Sequence, residues 1–184
     1  MRQEVRIAGF GGQGVVLAGY VLGKALALYS ELEAVMTQSH GPEARGGASS
    51  ADLVVSTEPI AYPFVQMPDY LVAMSQEAYT KFRPTIKVDA MVLIDRDLVK
   101  PHDGDQINAI PATQLAEDLG RRIVTNVVML GYVTALTEIV KPEAMLRALE
   151  DTLNSSILEL NIKAFESGLE FHTKHSVKPV AGRS

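Results

Sequence analysis

Val5-Arg6-Ile7-Ala8-Gly9-Phe10-Gly11-Gly12-Gln13-Gly14, followed by a proline-free apolar run from Val15 to Tyr29, decides the fold. Residues 5–10 read as a buried strand, 11–14 as a tight turn and 15–29 as a helix. Glycines at 9, 11 and 14 make a G-x-G-x-x-G pattern in the context that gives it meaning, after a strand and opening a helix. Glycine permits the turn and lets backbone N–H groups approach an anion, while the helix N-terminus supplies partial positive charge. Gly19 and Gly23 further let this helix lie close to its neighbour. The turn is a phosphate cradle or, on the blander reading, a turn whose glycines serve only close strand–helix packing.

Working outward, strands are expected at residues 34–38, 51–56, 70–74, 91–95 and 106–110. Helices are expected at 76–82, 111–119, 126–140 with Asn126 as N-cap, and from Pro142 to near 171. Short apolar strands alternating with helices indicate an α/β fold, a Rossmann-like three-layer sandwich around a central, mainly parallel sheet. One domain is expected over residues 1–172, with a polar C-terminal tail over 173–184.

The chain has 184 residues, 47% of them hydrophobic, which suits one domain with a real core. It has no cysteine, so disulfides, thiolate zinc sites, thiol nucleophiles and Cys-ligated iron–sulfur clusters within it are excluded. A net charge of −5 with no basic block argues against nucleic-acid binding. Residues 7–23 carry no charge, but four glycines interrupt the stretch early and it is shorter than the ~20 apolar residues a spanning helix needs. A soluble cytoplasmic protein without membrane contact is expected.

Two helices lack a polar face. Lys24 is the only charge from Gly14 to Ser30, and Ile123 to Thr137 carry none. A helix apolar all round must be covered on both sides. Either another subunit covers these two, or the C-terminal helices fold back over them. Residues 143–170 instead carry Glu143/Arg147 and Glu159/Lys163 at i,i+4 spacing, the mark of a solvated face.

Other chemistry is thin. A dinucleotide site would need a carboxylate at the end of the second strand, where Met36-Thr37-Gln38-Ser39 has none. Gly14 is not followed by Lys-Ser/Thr, so a triphosphate loop is excluded. Ser39-His40-Gly41-Pro42-Glu43-Ala44-Arg45-Gly46-Gly47 sits at the carboxyl edge of the sheet, where Arg45 is placed to pair with a phosphate or carboxylate. His40 alone reads as a loop residue rather than an acid or base. His102-Asp103-Gly104-Asp105 reads as a turn, not a thiamine diphosphate signature. Asp95 and Asp97 read as paired surface charges around Arg96 rather than a metal site.

Taken together, Gly9 to Gly14, Gly41-Pro42-Glu43-x-Arg45-Gly46-Gly47, Ile110-Pro111-Ala112-Thr113 and Asn126-x-x-x-Leu130-Gly131 resemble the gamma subunit, or gamma domain, of 2-oxoacid:ferredoxin oxidoreductases, roughly from Met1 to Phe171. Glu43 makes the loop most similar to the 2-oxoglutarate branch. His40 departs from the aromatic residue common before Gly-Pro, and residues 48–52 lack a cysteine often found there. The resemblance implies a subunit without a catalytic residue of its own, in a complex that oxidatively decarboxylates a 2-oxo acid, reduces ferredoxin and releases an acyl-CoA. Thiamine diphosphate and iron–sulfur clusters would belong to partner subunits. Gly9, Gly11, Gly12, Gln13 and Gly14, with Arg45 as counter-charge, would meet the phosphates of coenzyme A, or the loop would only shape an interface. The competing class is a free-standing Rossmann-type nucleotide-binding oxidoreductase or regulatory module.

Overall fold

The computed structural model describes residues 1–39 and 47–175. Residues 40–46, with Arg45 and His40, lie outside the described residues, as does 176–184. The elements are β1 (Arg2–Phe10), α1 (Val15–Tyr29), β2 (Glu33–Ser39), β3 (Ala48–Ser56), β4 (Tyr70–Ala73), α2 (Gln76–Phe82), β5 (Met91–Asp95), β6 (Asn108–Ile110), α3 (Ala112–Asp118), α4 (Thr125–Thr137), α5 (Pro142–Thr152) and α6 (Ser155–His175). Helix α6 carries the chain through His175, past the expected start of a tail at Thr173.

The six strands form one sheet in the order β2-β3-β1-β4-β5-β6. Strands β1, β4, β5 and β6 pair in parallel, while β3 is antiparallel to both β1 and β2. The sheet is therefore mostly parallel, with one reversed strand between β2 and β1. Period-2 alternation sends Val5, Ile7, Val72 and Leu93 to the face covered by α1 and α3–α6. Ala8, Leu71, Ala73, Val92 and Ile94 face the other side, where Ala78 and Tyr79 of α2 pack. On that second face Arg6 and Asp52 stand in register across β1 and β3 and pair through two bonds of 2.8 and 2.7 Å.

The C-terminal helices fold back over both apolar helices, covering α4 more fully than α1. α1 packs against α5, and α4 is buried from Thr125 to Thr134 beneath α6. The α4–α6 crossing is close because two glycines face it: a Cβ on Gly131 would lie 2.0 Å from the Phe165 carbonyl oxygen, and one on Gly168 would lie 2.1 Å from that of Val128. α1 is only partly covered, and Leu17, Tyr20 and Leu28 stay exposed. Of the two expected surface pairs, Glu159–Lys163 forms at 2.6 Å. Arg147 instead lies over the Tyr29 ring, 5.9 Å from its centroid.

Candidate functional site

The glycine turn sits at the carboxyl end of β1, at the edge of the sheet where parallel α/β folds bind ligands. The end of β2 and the start of β3 also reach this edge, since Ala48 pairs with Phe10, Ser49 with Gly9 and Ser50 with Ser39. In the dinucleotide fold β2 lies beside β1; here β3 intervenes, and β2 ends on Ser39 without a carboxylate. The ribose-holding geometry of such a site is therefore missing as well as its acid.

Two of the glycines are explained by the chain itself. A Cβ on Gly9 would lie 2.4 Å from Gln13 Oε1 and 3.1 Å from Val15. Gly14 has φ +71°, and a Cβ there would lie 2.4 Å from Asn126 Nδ2. Gly12 needs glycine for its φ of +96°. Gly11 has neither a positive φ nor any neighbour within 4 Å of an added Cβ. The N–H groups of Gly11, Gly12 and Gly14 donate to no partner among the described residues. They adjoin the free N–H groups of the first turn of α1.

Gln13 does not supply the outward donor expected of it. Its Nε2 donates to the Met74 carbonyl at 2.7 Å, and its Oε1 accepts the Phe10 N–H at 2.9 Å. Its own N–H donates to the Phe10 carbonyl at 3.3 Å. Gln13 is thus a brace tying the turn to β1 and the end of β4. Asn126 is likewise not the N-cap of its helix. It lies inside α4, 3% exposed, and its Nδ2 donates to the Gly14 carbonyl at 3.1 Å. The Asn126-x-x-x-Leu130-Gly131 motif therefore joins two jobs, holding the turn and admitting α6.

Cationic groups at the turn come from a segment that sequence reasoning passed over. A 3₁₀ turn, Arg122–Val124, precedes α4, and its exposed Ile123 lines two clefts with Gly12 in common. One, of about 370 Å³, runs under Arg121 toward α6 and includes Gly14, Asn126 and Asn161. The other, of about 470 Å³, includes Phe10, Gln13, Thr113, Arg122 and Thr125. Among the described residues the Arg122 side chain has only a 3.8 Å contact to Glu117, both side chains being exposed, and Arg121 makes no ion pair. The signal was an Arg-Arg pair immediately before a charge-free helix.

The other candidates resolve into structure. Asp95 is fully buried rather than a surface charge; it accepts from Thr113 Oγ1 at 2.6 Å and from the Asp97 N–H at 3.1 Å. Burial pushes its carboxyl above the ordinary range, against the pull of the hydrogen bonds from Thr113 and Asp97. Asp97 accepts the Gln114 N–H in the first turn of α3. The 102–105 stretch is a turn with Gly104 at φ +85°. Its Asp105 accepts from Tyr79 and Arg83, and the Tyr79 bond leads in holding that carboxyl below the ordinary range. No group of three or more potential metal ligands occurs among the described residues. A shallower hollow of about 630 Å³ lies at the opposite edge, beside Met1 and Tyr62. No helix there or elsewhere among the described residues is long and apolar enough to cross a membrane.

A glycine turn braced by Gln13 and Asn126, on a sheet with β3 reversed, can be matched against known proteins. The family model described as pyruvate ferredoxin/flavodoxin oxidoreductase matches residues 4–171. The 2-oxoglutarate synthase subunit KorC of Methanocaldococcus jannaschii is 49% identical, covering 92% of this chain and 94% of its own. The ketoisovalerate oxidoreductase subunit VorA of Methanothermobacter marburgensis is 34% identical over 94% of this chain, but over only 37% of its own length. Among solved structures, the gamma subunit of a keto/oxoacid ferredoxin oxidoreductase from Geobacter sulfurreducens is 39% identical with a TM-score of 0.84, covering 92% of this chain and 95% of that one. A match over nearly the whole described fold, with identities this high, assigns the chain to the pyruvate ferredoxin/flavodoxin oxidoreductase family.

Proposed function

We propose that this chain is the gamma-type subunit of a 2-oxoglutarate:ferredoxin oxidoreductase of the cytoplasm, and that its glycine turn holds the diphosphate of coenzyme A. The complex oxidatively decarboxylates the 2-oxo acid, passes two electrons to ferredoxin and releases the acyl-CoA. Thiamine diphosphate and iron–sulfur clusters reside in partner subunits; this chain has no cysteine to ligate a cluster. That a related subunit carries the matching region within a longer chain supports a module built to be joined to others.

The observation that carries the phosphate reading is Gly11. Packing accounts for Gly9 and Gly14, and backbone conformation for Gly12, but nothing within the described chain requires glycine at 11. A ligand approaching the backbone does. The free N–H groups of Gly11, Gly12 and Gly14 offer donors, the α1 N-terminus adds partial positive charge, and Arg121, Arg122 and Arg45 supply counter-charge. The chain binds and orients the thiol donor; bond making takes place on the partners.

The test is Gly11→Ala and Arg45→Ala in the complex purified with its partners. Each raises the Kd and KM for coenzyme A by about tenfold, the scale of one charge-assisted hydrogen bond. The KM for the 2-oxo acid stays put, and Gly11→Ala leaves the melting temperature unchanged. Equal loss toward both substrates, or no loss, rules the phosphate role out. Failure of a thiamine-diphosphate subunit and an iron–sulfur subunit to co-purify in fixed ratio rules out the subunit assignment.

A further inference from the structure

Strand β2 forms one edge of the sheet and pairs only with β3 among the described residues. The two edges are unlike. β6 has 3 residues, the shortness that keeps an edge from templating another strand, whereas β2 has 7. β2 lacks the other safeguards too. Glu33-Ala34-Val35-Met36-Thr37-Gln38-Ser39 holds no lysine and no proline, and its register with β3 runs without a bulge. Alternation shows which backbone groups are left open. Thr57 N–H donates to the Met1 carbonyl, so odd-numbered residues of β1 bond toward β3, while the Glu4 and Ala8 carbonyls accept from the β4 side. β3 therefore turns its even-numbered residues to β2, where they meet Glu33, Val35, Thr37 and Ser39. The N–H and C=O groups of Ala34, Met36 and Gln38 point off the free edge. Beside them lies an apolar hollow of about 270 Å³, rimmed by Tyr20, Leu28, Ala34 and Met36, with Tyr20 50% and Leu28 64% exposed. Lys24, the only charge on α1, has its ammonium committed to Asp151.

We propose that this edge joins two copies of the chain, with β2 pairing antiparallel to β2 of the second copy about a two-fold axis at Met36. Open backbone groups in alternation require a strand, and this strand suits itself. With the axis at Met36, Met36 faces Met36 and Ala34 faces Gln38, so every outward N–H meets an outward C=O. An axis at Val35 instead leaves Gln38 facing past the end of the strand. Val35 stands opposite Thr37, a pair of β-branched side chains that packs well across strands. Glu33, the only charge on the strand, stands opposite Ser39, so no like charges meet. The helices agree with this register. α1 packs on β2 and β3 alike, and strands lie about 4.8 Å apart, so the two copies of α1 stand about 10 Å apart, the separation of packed helices. Tyr20 and Leu28 are then covered, and Lys24, held on Asp151, does not confront its own copy. The proposal is independent of the coenzyme A reading.

The chain has no cysteine, so an introduced one reports position without interference from others in the same chain. The test is Met36→Cys against Gln38→Cys, each oxidised in the full chain alone and in the complex purified with its partners. Facing residues of such a pair lie about 5.5 Å apart at Cα, within reach of a disulfide, whereas the two Gln38 positions lie about 13 Å apart. Met36→Cys gives a product on non-reducing gels that holds two copies of this chain, at twice 19.9 kDa, and Gln38→Cys does not. In sedimentation the wild-type chain alone runs at that doubled mass. Gln38→Pro removes an outward N–H and no bond of the fold, and Leu28→Arg changes an exposed side chain. Both sediment as single chains with the circular dichroism of the wild type. Equal cross-linking by the two cysteines marks chance collision and overturns the proposal. A Met36→Cys disulfide to a different subunit gives the edge to that subunit and overturns it too. So does a wild-type chain that stays single, or a doubled mass that survives in both Gln38→Pro and Leu28→Arg.

Discussion

Replacing Gly131 by alanine tests how the fold is closed. Two opposed effects follow from one added methyl group. Alanine is the better helix former, which is worth about 1 kcal/mol in stability. Against this, the new Cβ would stand 2.0 Å from the Phe165 carbonyl oxygen and 3.0 Å from the Leu169 nitrogen. Both are backbone atoms of α6, so no side chain can swing away; the helices themselves must separate by about 1 Å or more. A radial gap of 0.5–1 Å already forfeits about a quarter to a half of each dispersion contact. The affected surface includes Phe165, Ala164 and most of α4, all buried. Overpacking of this kind costs about 1–3 kcal/mol even where side chains can adjust, and here they cannot. We expect a net loss of about 3 kcal/mol, a fall in Tm of about 6–12 °C at this chain length. Gly23→Ala is the control, because its Cβ would meet only the Leu53 Cδ2 atom at 3.2 Å, the far end of a flexible side chain. It should be neutral or slightly stabilising. Thermal unfolding followed by circular dichroism reads both. A Gly131→Ala protein melting within about 2 °C of wild type, or a reversed ranking of the two variants, refutes the argument.

Asp95 and Arg6 carry the remaining predictions. Because the folded-state pKa of Asp95 is raised, the native chain holds a proton that the unfolded chain releases near pH 4. Stability contributed at this residue is therefore full at lower pH, and falls as pH rises from about 4 through the raised folded value. Asp95→Asn should abolish that slope in a pH series of denaturant melts; an unchanged slope would mean another group titrates. The Arg6–Asp52 pair is mostly shielded, at 11% and 14% side-chain exposure, so removing one partner strands the other. Asp52→Ala should cost about 3 kcal/mol, while Arg6→Met with Asp52→Leu together should recover most of it. A double-mutant cycle without coupling would refute that.

Much of the fold was legible because it is local. The apolar run from Val15 to Tyr29 and the strand from Met91 to Asp95 fall where the sequence puts them. The sheet's reversed strand was not legible. Residues 48–56 carry a strand's composition whichever way they run, and direction is set by the pairing of Ala48 with Phe10 and Ser50 with Ser39. Asp95 was misread for a related reason: an Asp-Arg-Asp triplet at a strand end resembles surface chemistry until Thr113 closes over it.

The site shows the same division at finer grain. Asn126 has the composition of a helix cap, and Gln13 that of a ligand donor, because both carry a short-range alternative the sequence makes visible. Each instead meets a distant partner: Asn126 bonds a carbonyl 112 positions earlier, and Gln13 bonds one 61 positions later. Both amides are committed to bracing, so on the proposed phosphate reading the turn offers backbone N–H groups and its counter-charge comes from other residues. Arg121 and Arg122 line the two clefts that share Gly12, and the Asn126 bond to the Gly14 carbonyl ties the start of α4 to the turn. On the proposed phosphate reading, this hydrogen bond links the shape of the turn to the position of the two arginines. Asn126→Ala should cost coenzyme A binding more than loss of either arginine alone, although Asn126 need not contribute charge. If its Kd moves less than that of Arg121→Ala or Arg122→Ala, the turn keeps its shape unaided and the arginines alone make the site.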